Sequence, residues 1–247
     1  MVINPDKIIR PIVFSRRQLP LRALEKPRGW DVHLWHLDLK HLANPLTSDS
    51  AEQAGRLSVF QRRTSRRFYL RLLLAAYLGL PGKDLHIIRR HKGRPELDTA
   101  QTNGQLNFSV ARSGDCYLIG VSSGAIIGVD LEMAARRAGK PMALARRYFS
   151  KQEVAALSLL EGQELQRAFM HTWACKEAIV KASGLGIANQ LCRFSVDVNP
   201  DNPPALLDML DDDPAAWRLA VAEPVAGAIA AIAVRQQTLR LKGFNLS

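Results

Sequence analysis

Two short segments carry side chains whose types and spacing suit chemistry on a phosphate group. The first, Ile127-Gly128-Val129-Asp130-Leu131-Glu132, alternates apolar residues with others. Residues two apart on a strand share a face, so Ile127, Val129 and Leu131 point one way and Gly128, Asp130 and Glu132 the other. Amphipathic patterning explains an apolar face opposite a polar one. It does not explain two acids side by side at a strand end, where like charges repel. A bound divalent cation relieves that repulsion, and oxygen donors point to magnesium rather than zinc.

The second segment is Trp173-Ala174-Cys175-Lys176-Glu177-Ala178-Ile179-Val180-Lys181. On a helix, Trp173, Glu177 and Lys181 fall at i, i+4 and i+8 and form one stripe, with Lys176 beside it. A Glu–Lys pair in this orientation on an exposed helix contributes only ~0.3 kcal/mol. Phe169, Trp173, Ile179 and Val180 mark this helix as buried, however, so its charged stripe should face a cleft. Three carboxylates and two ammonium groups together suit phosphoryl-group transfer. Just upstream, Phe149-Ser150-Lys151-Gln152-Glu153-Val154 reads as a helix start, with Ser150 and Glu153 as a capping box and Phe149 and Val154 as the hydrophobic staple. Glu153 is therefore assigned a capping role.

These segments need a scaffold. Asp31–Leu39 alternates with period two and reads as a strand. Leu57–Leu80 reads as a long helix closed by Gly79 and Pro81. Phe60, Phe68, Leu72 and Ala75 or Ala76 are expected on its apolar side, opposite Arg62, Arg63, Arg66, Arg67 and Arg71. Strands follow at 105–110 and 116–121, and Ser122-Ser123-Gly124 suggests a hairpin over 116–132. Helical patterning runs from Pro141 to Ser183, with Gly184 at the left-handed C-cap position. Strands return at 193–198, 217–221 and 226–234, and 199–213 reads as a surface loop. The order suggests two α+β halves, 1–123 and 124–247, joined near Ser122–Gly124.

The chain has 247 residues and a formal charge of +11, which implies an anionic partner. Cys116, Cys175 and Cys192 have neither disulfide-framework nor zinc spacing. Charges interrupt the N-terminal apolar residues, and the longest apolar runs are too short to span a bilayer. A cytoplasmic protein without membrane contact is the expectation.

The motifs resemble those of the 4′-phosphopantetheinyl transferases, in particular the long, monomeric surfactin-type subfamily. That family combines a Gly-(Ile/Val)-Asp-x-Glu strand, a Phe-Ser-x-x-Glu segment and a Trp-x-x-Lys-Glu-(Ala/Ser)-x-x-Lys helix ending near Gly-x-Gly. Here these are Gly128–Glu132, Phe149–Glu153, and Trp173–Lys181 followed by Gly184-Leu185-Gly186. Gly93-Arg94-Pro95 is similar to the family's Gly-Lys/Arg-Pro loop, Arg67 matches an arginine of its N-terminal helix, and Trp35 lies in the usual opening strand. One departure stands out. Where the family has Phe-Asn-x-Ser-His-Ser, this chain has Phe108-Ser109-Val110-Ala111-Arg112-Ser113. A guanidinium binds phosphate well but does not titrate near neutrality, so Arg112 is expected to bind and not to move protons.

The resemblance implies an α+β fold of two similar α/β halves related by pseudo-two-fold symmetry, with the site in the cleft between them. It also implies transfer of 4′-phosphopantetheine from coenzyme A to a serine of an apo acyl or peptidyl carrier protein, releasing 3′,5′-ADP. Asp130, Glu132 and Glu177 would hold magnesium, with manganese as the alternative ion. Glu177 would take the serine proton, Lys181 would stabilise the leaving phosphate, and Lys176 would anchor the pyrophosphate. Arg67, Arg94, Arg112 and Ser113 would surround the adenosine 3′-phosphate; for Arg67 a solvated role on its helix is the alternative. The segment 136–151 would dock an acidic carrier, or is simply an exposed basic loop and helix. Two rivals stand beside this reading. A nucleic-acid-binding module fits the charge, but no recognition motif for one is present. A catalytically silent scaffold fits the fold, but it has no need of Asp130, Glu132, Glu177 and Lys181 together.

Overall fold

A strand, a long helix and a hairpin occur twice along the chain. The computed structural model describes residues 12–43, 57–89, 95–102, 104–184 and 191–247. The first unit contains β1 (Phe14–Arg17), β2 (Asp31–Asp38), α1 (Val59–Leu78), β3 (Ile87–Arg89), β4 (Pro95–Leu97), the single turn α2 (Thr99–Thr102), β5 (Leu106–Ser113) and β6 (Cys116–Ser123). The second contains β7 (Ile127–Met133), α3 (Pro141–Tyr148), α4 (Lys151–Leu157), α5 (Gly162–Ser183), β8 (Phe194–Val196), β9 (Leu206–Met209), β10 (Trp217–Ala222) and β11 (Ala228–Arg235), followed by β12 (Arg240–Leu246).

The same strand order appears in each unit: opening strand, last strand, middle strand. In the first it is β2-β6-β5 and in the second β7-β11-β10, all antiparallel. The expected pair of similar α/β halves is thus visible in the topology. The chain end then returns to the first sheet, where β12 runs parallel to β2 and carries β1 on its outer side. Residues 240–246 therefore belong with the first half in space. Among the described residues, no helix is long and apolar enough to cross a membrane.

Val32, Leu34, Ala111 and Leu118 of the first sheet pack on Ile127, Val129, Leu131 and Ile232 of the second. The two sheets meet closely: a Cβ built on Gly120 would lie 2.6 Å from Val129 Cγ1, and the Val129 N–H donates to Ser109 Oγ at 3.1 Å. On its outer side the first sheet is covered by α1, through Trp35, Leu37, Tyr69, Leu73, Leu74 and Tyr77. On its outer side the second is covered by α5, through Ala174, Ala178, Ala231 and Ala233.

The facing of α1 differs from the sequence expectation. Phe60 is 70% and Phe68 43% exposed, and Tyr69, Leu70, Leu73, Leu74 and Tyr77 are buried instead. The stretch 68–78 is apolar around most of the helix, so its period does not fix which side turns inward. The arginines are also less free than expected. Arg62 pairs with Asp115 at 2.6 Å, Arg66 donates to the Gly114 carbonyl, and Arg71 donates to the carbonyls of Gly82, Lys83 and Leu85.

The expected hairpin over 116–132 is not formed. The hairpin is β5–β6, closed by the two-residue loop Gly114-Asp115 with Gly114 at φ 59°. The turn after Ser123 hands the chain from one sheet to the other. Within the expected surface loop 199–213, Leu206–Met209 forms β9 against β8.

Candidate active site

The site begins with a glycine. A Cβ on Gly128 would lie 2.0 Å from the Ala178 carbonyl oxygen and 2.5 Å from the Ala182 nitrogen. Only a residue without a side chain lets α5 lie this close to β7. The helix is fixed at its far end by Gly184, in the left-handed region at φ 69°. With the two backbones in near contact, the polar face of β7 and the charged stripe of α5 share one narrow space.

Asp130, Glu132 and Glu177 are all buried there, at 7%, 9% and 7% exposure. Burial, with Asp130 and Glu132 nearby, pushes the Glu177 carboxyl up to about 7 against the opposing pull of Lys181. Burial and Asp130 also raise Glu132. Lys181 Nζ donates to Asp130 Oδ1 at 2.7 Å and to the Val129 carbonyl at 3.0 Å. Arg136, on the loop after β7, reaches Glu132 Oε2 at 3.3 Å and is itself 70% exposed in its side chain. The second oxygen of Asp130 is buried with no hydrogen-bond partner.

An orphaned carboxylate oxygen among mutually repelling acids fits a hard divalent cation, which takes oxygen donors and removes the repulsion. Among the described residues, no three His, Cys, Asp or Glu side chains are closed up as a metal cage. Lys181 holds one of the oxygens such an ion would share.

Lys176 is placed differently from the sequence expectation. It is fully buried and its ammonium donates to both Glu153 oxygens at 2.7 Å and to the Phe194 carbonyl at 2.6 Å. All three donors are used, so Lys176 has nothing left for a pyrophosphate. The Phe149 and Phe194 rings lie within 5.5 and 4.2 Å of the ammonium. Glu153 makes the expected capping box with Ser150 and also accepts from the Val196 N–H. The pair therefore ties α4, α5 and β8 together. Burial lowers Lys176, and Glu153 opposes that. Elsewhere on the helix, Trp173 meets Tyr148 edge-on and packs at a tilt against Phe149 and Phe169. It lines a groove with Glu132, Arg136, Leu144 and Met170.

Of the remaining expected residues, Arg94 lies outside the described residues. Arg67 is exposed on α1, and it is Arg66 that comes beside Arg112: burial and then Arg112 depress the Arg66 guanidinium. Arg112 is exposed at the end of β5, and Ser113 next to it is buried. Arg66 Nε is buried with no hydrogen-bond partner. The hairpin loop and α1 thus gather Arg66, Arg112 and Ser113. The Gly-Asp dipeptide at 114–115 was the sequence signal that could have placed this hairpin end.

A family model described as the 4′-phosphopantetheinyl transferase superfamily matches residues 126–233. The chain is 31% identical over 214 residues to the 4′-phosphopantetheinyl transferase HetI of Nostoc sp., covering 83% of this chain and 87% of that protein. It belongs to the 4′-phosphopantetheinyl transferase superfamily. A putative 4′-phosphopantetheinyl transferase of Synechocystis sp., slr0495, is 38% identical over 163 residues, covering 64% of this chain and 63% of that one. The crystal structure of a holo-(acyl-carrier-protein) synthase from Bacillus anthracis in complex with CoA (3′,5′-ADP) aligns at TM-score 0.35 and 20% identity, over 46% of this chain and 98% of that one. As a member of this transferase superfamily, the chain is an enzyme, and the buried carboxylates beside Lys181 lie inside the matched segment.

Proposed function

We propose that this enzyme moves 4′-phosphopantetheine from coenzyme A to a serine of an apo carrier protein, with holo-(acyl-carrier-protein) synthase activity. The observation that carries the reading is the buried Asp130–Glu132–Glu177 set with Lys181 at its edge. A divalent cation, magnesium first, would be held by Asp130, Glu132 and Glu177 and would neutralise charge on the diphosphate.

The chain's own groups account for the rest. The serine oxygen forms a bond to the phosphorus that carries pantetheine. The bond from that phosphorus to the bridging oxygen breaks, and its electron pair leaves with 3′,5′-ADP. Glu177, buried beside Asp130 and Lys181, is the carboxylate assigned to accept the serine proton. Lys181, already fixed on Asp130 and the Val129 carbonyl, supports the leaving phosphate with its positive charge. Displacement at a diphosphate needs alignment and charge neutralisation more than covalent help.

Arg66, Arg112 and Ser113, with Arg67 and Arg94, are assigned to the adenosine 3′-phosphate. The expected docking segment 136–151 carries Arg136, Arg137, Lys140, Arg146, Arg147 and Lys151, mostly exposed, and borders the groove that ends at Glu132. An acidic carrier seated there presents its serine to Glu177, and opposite charge speeds its arrival. We take the enzyme to act as a cytoplasmic monomer.

The test is to incubate the enzyme with coenzyme A, magnesium and a panel of apo carriers and to follow the carrier mass. One phosphopantetheine should be gained with the native enzyme and none with Asp130→Ala at unchanged circular dichroism. Labelling by Asp130→Ala at the native rate removes the metal assignment.

A further inference from the structure

The loop between β7 and α3 forms one wall of the groove, and a single side chain holds its middle. Ala134 and Arg136 are tied near the strand end, by bonds from their N–H groups to the Gly227 and Met133 carbonyls. Beyond them, Gln166 of α5 donates from Nε2 to the Ala138 carbonyl at 3.0 Å and accepts the Ala138 N–H on Oε1 at 3.1 Å. One amide thus satisfies both backbone groups of one loop residue. Residues 134–137 are exposed and Ala138 is half-buried, so the chain dips to the helix at the clamped residue.

Gln166, Met170, Trp173 and Glu177 fall at i, i+4, i+7 and i+11, one stripe of α5. At 1.5 Å per residue, Gln166 stands roughly 16 Å along the helix from Glu177, too far to touch the reacting atoms. The stripe is the floor of a groove. Trp173, Met170, Phe169, Leu144 and Glu132 line one part, and Met170, Gln166 and Gln163 line the next. Arg137 and Met170 border both parts, with Glu132 at one end and Gly162, at the start of α5, at the other.

We propose that Gln166 is a positioning residue for the carrier protein: by clamping Ala138 it holds Arg136 and Arg137 where an acidic partner meets them. The inference rests on the docking reading above. The clamp acts through the loop, whose exposed charged residues are Arg136, Arg137 and Lys140. The specific consequence is a change in carrier affinity with no change in coenzyme A affinity. A general packing role does not produce that split.

Gln166→Leu keeps the side-chain bulk and removes both bonds; Gln166→Glu keeps the acceptor for the Ala138 N–H and loses the donor. Two hydrogen bonds of ordinary strength correspond to about a tenfold rise in carrier KM for Gln166→Leu, with a smaller rise for Gln166→Glu. Coenzyme A KM and kcat should stay within about twofold, a difference worth less than one ordinary hydrogen bond. Hydrogen exchange at the Ala138 amide should accelerate in both variants. An unchanged carrier KM, a parallel loss of kcat, or an unchanged Ala138 exchange rate overturns the clamp. Arg137→Glu separates the two layers of the argument. If it raises carrier KM and Gln166→Leu does not, the clamp alone fails; if neither variant moves carrier KM, the docking reading fails with it.

Discussion

Between β2 and α1 the first half keeps a neutral network, whereas between β7 and α5 the second half keeps charge. Trp35 Nε1 donates to the Tyr77 hydroxyl at 2.8 Å, and that hydroxyl lies 2.7 Å from His33 Nδ1. Tyr77 accepts from Trp35 and so has its one proton to give His33. Burial, and then Lys242, lower His33 to about 4 against the pull of Asp31, so the ring stays uncharged. Among the described residues, the His33, Trp35 and Tyr77 side chains here partner one another. The second half has the same strand–helix–hairpin order, but Gly128 stands where a side chain would hold the helix away. The short Asp130 then meets Lys181, Glu177 is left among acids, and one carboxylate oxygen has no partner. The shared topology provides two equivalent interfaces, and the second keeps mutually repelling carboxylates with one oxygen unpartnered.

The largest break expected in this comparison comes from Glu177→Gln. It keeps the shape and removes the charge and the proposed proton acceptor, so transfer to carrier should fall on the order of 10³-fold. The fold should persist, because a like charge is removed from a buried set. Rates from the carrier mass assay, read beside circular dichroism, check both halves of that statement. A rate within tenfold of native places the proton acceptor elsewhere.

Next comes the dry ion pair one residue away. Lys176→Met leaves the Glu153 carboxylate without its ammonium partner and should cost about 3–5 kcal/mol, seen in urea unfolding. Combining it with Glu153→Gln removes the stranded charge and should recover most of the loss. The double variant should also keep coenzyme A KM near native. A raised coenzyme A KM with stability restored returns Lys176 to the pyrophosphate.

A smaller effect is expected from Gly128→Ala. The new methyl meets the Ala178 carbonyl, which is backbone and cannot rotate away, so α5 must shift. Overpacking of this kind costs about 1–3 kcal/mol, and a helix displaced by a fraction of an ångström should lower transfer by roughly 10²-fold. Gly120→Ala is the comparison within the sheet interface, where the obstacles are the Val129 and Ile127 side chains. It should lose stability with little loss of rate.

How far the sequence led depends on whether the signal is local. The face of β7 is legible because period two assigns 127, 129 and 131 against 128, 130 and 132 without reference to anything distant. The Ser150–Glu153 box and the Gly184 cap are equally local. The second task of Glu153 is not, because Lys176 lies 23 residues on and lysine is ordinarily a surface residue. The facing of α1 is not legible because its C-terminal turns are apolar around most of the helix, and packing on β2 together with the Tyr77 bonds sets the phase. Strand β12 joins the first sheet across more than 200 residues from its β2 partner, which no window of sequence contains. Nor does local pattern show that Arg66 rather than Arg67 approaches Arg112, since neighbours on a helix differ by 100° in direction.

The comparison is sharpest in how stability responds to pH, where the two interfaces should act with opposite sign. Folding lowers His33, so its contribution is complete above the ordinary histidine value of 6.5 and is lost as pH falls towards about 4. Folding raises Glu177, so its contribution is complete below the ordinary value of 4.5 and is lost as pH rises through about 7. In chelator, with no cation to offset the repulsion, thermal melts of the native protein and Glu177→Gln should coincide near pH 5. They should separate above pH 7, with the variant ahead by about 2–4 °C, the shift that ~1 kcal/mol produces in a chain of this size. On the acid side the two should fall together, because His33 is present in both, and His33→Gln should fall less. If Glu177→Gln melts below native at pH 8, the carboxylate set stabilises the fold, and the contrast between a satisfied and an unsatisfied interface is lost.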